Sequence, residues 1–154
     1  MRKKITILLV SLLCCIGVMQ AQRWALSEMP SKTLNSLNDI SAEKYYVLQT
    51  ADEYGMNLWL KDDNTNGMIV NNQITTMQES AQTYLWKIIK TGDNYSFQNV
   101  ATEKYFPTII KDSKPSTVDA ASAGTFEMID QQTSGAGIWN IKNATDAVCL
   151  NVKG

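Results

Sequence analysis

Histidine is absent from the 154-residue chain. That excludes the Ser-His-Asp and Cys-His nucleophilic arrangements and every zinc site that uses imidazole. An excess of positive charge is also missing. With 14 basic and 15 acidic residues the net charge is −1, and the pI is 5.4. No broad basic surface for nucleic acid is available on those terms. Proline and cysteine are scarce, at three residues each. No Gly-rich phosphate loop and no Cys-x-x-Cys pair occurs. Long 3.6-residue apolar stripes are lacking after the first 21 residues, which argues against a helical bundle.

The first feature present is an address. Arg2, Lys3 and Lys4 precede an apolar run over 5–18, broken by Ser11 and Gly17, and Ala21 is followed by Gln22. This is the order of a secretory signal peptide. A transmembrane helix would need ~20 apolar residues. A lipoprotein reading would use Cys14 or Cys15, but Leu13 and Cys14 stand where a small residue is wanted. Cleavage near Ala21 and export to the periplasm, cell surface or medium are the expectation, with no membrane span. Loss of residues 1–21 removes three basic residues and leaves a net charge of −4. It also leaves Cys149 alone, so no internal disulfide forms.

Residues 22–43 are polar and mixed, with Leu34, Leu37 and Ile40 three apart. That spacing allows a loosely packed coil or one or two helical turns. From Tyr45 onward come short apolar runs at 45–48, 56–60, 68–70, 84–89, 95–97, 105–110, 126–129, 138–141 and 148–152. Gly, Asn and Asp separate them, as in Thr91-Gly92-Asp93-Asn94. Many short strands with such turns predict an all-β domain.

An internal repeat organises these strands. Tyr45-Tyr46-Val47-Leu48-Gln49, Tyr95-Ser96-Phe97-Gln98-Asn99 and Trp139-Asn140-Ile141-Lys142-Asn143 each start aromatic and end in an amide. The second and third reach their next strand after six residues and the first after nine, a three-residue insertion. Tyr84-Leu85-Trp86-Lys87-Ile88 and Gly124-Thr125-Phe126-Glu127-Met128 form a second matching pair. A period in the forties means a repeat architecture. A propeller needs at least four blades, which this length cannot hold.

The residues resemble the ricin-type β-trefoil lectin family. Tyr84-Leu85-Trp86 is similar to that family's Gln-x-Trp motif, and Cys149-Leu150-Asn151-Val152 to the opening of one of its lobes. The resemblance implies a β-trefoil over 44–154, with lobes of about 44–91, 92–136 and a partial third over 137–154. It implies a chain that stops within its third lobe, with open strand edges and poor independent stability. Trp86 and Phe126 are expected in the core, as are Tyr45, Tyr95 and Trp139 at one repeat position.

The resemblance also implies a secreted glycan-binding module, as the N-terminal part of a longer extracellular glycan-acting protein. The alternative is an adaptor trefoil that has lost its sugar sites. In the family an Asp accepts from sugar hydroxyls while an aromatic ring stacks on the sugar. The Asp position falls on Leu60, Pro107 and Asn151, of which only Asn151 can accept. Candidate carbohydrate contacts are therefore Asn151, Trp59, and the loop residues Asp62 and Asn64. Core filling is the first reading of Trp59, since large aromatic side chains dominate cores, and the stacking platform the second. Asp62, Asn64, Asn66 and Gly67 fit half a calcium-loop pattern, but Gln73 stands where a bidentate Glu belongs. An Asn-Gly turn explains that composition without metal. No cofactor and no catalytic signature is expected, and oligomeric state is not legible.

Overall fold

The computed structural model describes residues 33–49, 58–62, 68–72, 81–131 and 138–150. The expected signal segment, Asn64 and Asn151 lie outside them. The described residues are all-β, with antiparallel sheets and three short 3-10 turns. No helix among them is long and apolar enough to cross a membrane.

Six strands form in chain order: β1 (Leu58–Asp62), β2 (Met68–Asn72), β3 (Trp86–Thr91), β4 (Asn94–Asn99), β5 (Phe126–Asp130) and β6 (Trp139–Asn143). β1 and β2 make a hairpin, and β3-β4-β5-β6 make a four-stranded sheet. Alternation drives the burial: Trp86 and Ile88 face inward on β3, Tyr95, Phe97 and Asn99 on β4, and Phe126 and Met128 on β5. β3 and β4 are joined by Gly92 and Asp93. Gly92 has φ +62°, the positive value that a type II′ turn requires of its first central residue.

The core is aromatic. Phe97, Phe106, Phe126 and Trp86 are each at most 1% exposed. Phe106 meets Phe126 edge-to-face at 5.4 Å and Trp86 at 6.1 Å, and Phe97 lies 5.6 Å from Phe126. The Trp86 indole N–H donates to the Leu60 carbonyl at 3.2 Å. All three phenylalanines of the chain are spent here.

The repeat is written in the hydrogen bonds. Leu60 N–H donates to Leu48 (2.9 Å), Phe106 N–H to Phe97 (2.9 Å) and Leu150 N–H to Ile141 (2.7 Å). The bridges Gln49↔Trp59, Gln98↔Tyr105 and Lys142↔Cys149 repeat with them. The first pair is ten residues apart and the others seven, so the three-residue insertion is real. Tyr46↔Trp86 and Tyr95↔Phe126 match in the same way.

This register corrects one expectation. Tyr46, not Tyr45, is the partner of Tyr95 and Trp139. Tyr45 is 55% exposed, whereas Tyr46 packs against the core. Successive strand residues point to opposite faces, so a slip of one exchanges the inner and outer residue. Tyr95 is buried as expected, and Trp139 is half-buried against the core.

The segment 33–41 is tied down. Leu37–Asp39 is a single 3-10 turn capped by the Ser36 side chain. Leu34, Leu37 and Ile40 pack against the main core. A spacing of three lies on one face of a 3-10 turn, which has three residues per turn.

Candidate functional site

β1 presents two unlike faces. Leu60 and Asp62 point inward and are 8% and 0% exposed. Trp59 and Lys61 alternate with them and lie on the other face, both half-buried. Beneath that outer face sits a small cluster of Tyr84 and Leu85, with Val47, Trp59 and Val100 packed on it. The Trp59 and Tyr84 rings meet edge-to-face at 6.5 Å and 73°. The Lys61 ammonium lies 5.7 Å from the Tyr84 ring centroid. The Trp59 indole nitrogen is buried and has no hydrogen-bond partner among the described residues. Its ring is thus held by packing, and the residue as a whole is half-buried.

Asp62 has a different occupation. Its carboxylate is wholly buried and accepts from the Thr102 hydroxyl at 2.6 Å. This bond ties the end of β1 to the turn after β4. The Thr102 N–H in turn donates to the Asn99 side chain at 3.2 Å. Asp62 therefore belongs to an internal polar network, on the face away from Trp59.

Asn99 and Asn143 extend that polar framework. Both are fully buried, at equivalent ends of β4 and β6. Asn99 Nδ2 donates to the Thr83 carbonyl at 2.8 Å, and its Oδ1 accepts from Ala101 N–H at 3.0 Å. Asn143 Nδ2 donates to the Ile109 carbonyl at 2.8 Å and to Asp146 at 3.0 Å, while its Oδ1 accepts from Ile109 N–H at 2.9 Å. Each amide closes its own turn and reaches back to an earlier part of the chain.

The register reveals a residue that inspection of the sequence placed wrongly. Trp59, Tyr105 and Cys149 occupy one repeat position. Tyr105 is also half-buried, beside the buried Phe106. Counted from the amides Gln49 and Asn99 in the sequence, Leu58 falls opposite Tyr105, one residue off, and the match of two aromatic side chains is not visible. By the same shift, Lys61 rather than Leu60 is the first-repeat equivalent of Pro107.

No protein-family model, curated protein or solved structure matches the chain. Chemistry must be read from the side chains alone. Among the described residues no cluster of His, Cys, Asp or Glu could hold a metal ion. Cys149 is a half-buried free thiol. Glu127 is paired with Lys142 at 2.8 Å across β5 and β6. The outer face of β1 brings together the half-buried Trp59 and the Lys61 ammonium, which lies over the Tyr84 ring. A pyranose ring has an apolar face and hydroxyl edges, and that combination suits both.

Proposed function

We propose that the chain is a secreted carbohydrate-binding module on a β-trefoil scaffold, and that its sugar contact lies on the outer face of β1. The recurring register around one aromatic core supports the trefoil. The observation that carries the binding reading is the half-buried Trp59, braced edge-on by Tyr84 with Lys61 beside it. The indole supplies the stacking surface and the Lys61 ammonium donates to hydroxyl oxygens. Tyr105 is the corresponding platform in the second repeat. Asn151 and Asn64 remain proposed contacts outside the described residues.

A second reading, an adaptor trefoil without sugar binding, is favoured by Asp62. Its carboxylate is used internally by Thr102, and Lys61 and Pro107 stand where the resembled family has Asp. Affinity electrophoresis of the purified protein through gels of plant, host and bacterial polysaccharides separates the two. Sugar binding predicts retention that Trp59→Leu weakens about tenfold, with Trp59→Tyr keeping most of it. A folded protein retained by none of them is the adaptor.

A further inference from the structure

The outer face of β1 carries a cation that the described residues do not neutralise. Lys61 is half-buried, two residues along the strand from Trp59, and its ammonium lies 5.7 Å from the Tyr84 ring centroid. No carboxylate among the described residues pairs with it. Asp62, next to it in sequence, points to the other face and accepts from Thr102. The register accounts for the missing partner. Lys61 pairs with Ile69 and Trp59 with Asn71 on one side, and Trp59 with Gln49 on the other. None of these cross-strand neighbours is acidic. Lys142 shows the opposite arrangement: its cross-strand neighbour is Glu127, and the two close at 2.8 Å.

Partial burial strips water from an ammonium, and the Tyr84 ring returns part of that loss. Lys90 also lies near a ring, 5.9 Å from that of Tyr95, but it is exposed and keeps its water. The Trp59 indole nitrogen is a second donor with no partner among the described residues. It is covered, so the ammonium is the donor that a ligand meets. The cation is not part of the repeated scaffold either, since Pro107 holds the equivalent place in the second repeat.

Resting on the carbohydrate-binding reading, we propose that the glycan is acidic, with a carboxylate or sulfate group of the sugar on the Lys61 ammonium. Such an anion accepts hydrogen bonds without donating, so it complements a face whose described residues offer donors and no carboxylate. A charge-assisted bond is about twice as strong as a bond to a neutral sugar hydroxyl. Bulk charge adds nothing favourable: the chain has 14 basic and 15 acidic residues, so a polyanion must be held locally. The preference therefore rests on one residue and is screened by salt.

Titration calorimetry of the purified protein with matched polymers is the test: polygalacturonate and alginate beside their carboxyl-reduced neutral forms, and dextran sulfate beside dextran. The expected result is at least one acidic member bound about tenfold more tightly than its neutral partner. Whether the carboxylate or the sulfate members show it identifies the source of the anion. The preference should vanish in Lys61→Gln, persist in Lys61→Arg, and fall away in about 1 M salt, where the screening length is about 3 Å. Equal affinity for acidic and neutral members overturns the acidic ligand and leaves the carbohydrate-binding reading standing. A preference unchanged in folded Lys61→Gln is polyanion attraction elsewhere and overturns it too. Persistence of the preference in about 1 M salt does the same and needs no variant. Binding of no polymer in either form overturns both readings.

Discussion

Asn99 and Asn143 are buried, and each pairs its amide with backbone groups from an earlier part of the chain. Replacing Asn143 by alanine orphans both backbone groups of Ile109 and loosens the Asp146 turn. Each buried group left unpaired costs about 1–3 kcal/mol. Denaturant unfolding of Asn143→Ala is expected to show at least that loss. Gln98→Ala, removing an exposed bond to the Glu103 carbonyl, should change stability by less than about 0.5 kcal/mol. Gly124 is the other sensitive residue. A Cβ there would sit 2.5 Å from the Phe126 ring and 2.7 Å from the Pro107 carbonyl carbon. Backbone cannot step aside as a side chain can, so Gly124→Ala should cost about 1–3 kcal/mol in a thermal melt. The sequence marks the amide as a repeated feature, since it recurs four residues after an aromatic. Its use is invisible there, because Thr83 and Ile109 are partners only in the fold.

Among the elements, the strands are legible and the register of the first is not. Turns rich in Gly, Asn and Asp separate several of the apolar runs, and the hairpin at Gly92 follows from Thr91-Gly92-Asp93-Asn94. Tyr45-Tyr46 offers two adjacent aromatic anchors, and local sequence cannot choose between them. The choice is made by Trp86, which pairs with Tyr46 through two 2.8 Å backbone bonds. Segment 33–41 shows the same limit: its spacing of three foretells a turn, while its anchor on Trp139 is 105 residues away. The β5–β6 pair carries a test of its own. Glu127 holds Lys142 above its ordinary pKa, mainly by accepting its hydrogen bond. A raised lysine pKa contributes stability that is present below the unfolded value and lost as pH rises through the folded value. Nitrogen NMR of the lysine ammonium should therefore show Lys142 titrating later in the intact protein than in Glu127→Gln. An identical midpoint in both would show that the pair does not form in solution.

At the largest scale, the described residues are short strands around an aromatic core, repeated with a common register, with residues 33–41 packed against one side of it. All-β character was legible because so many separate turns leave no room for long helices. The proposed site was less so: the sequence leaves Trp59 as core or platform, and β1 places Leu60 and Asp62 inward while Trp59 packs half-buried on the other face. Indole N–H NMR during titration with an oligosaccharide from the best-retained polysaccharide tests the central claim most directly. Four tryptophans report at once. The Trp59 signal should shift saturably, while that of Trp86, wholly buried and bonded to Leu60, should stay in place. A saturable shift at Trp86 or Trp139 with Trp59 unmoved, or no shift in any of the four, would contradict it.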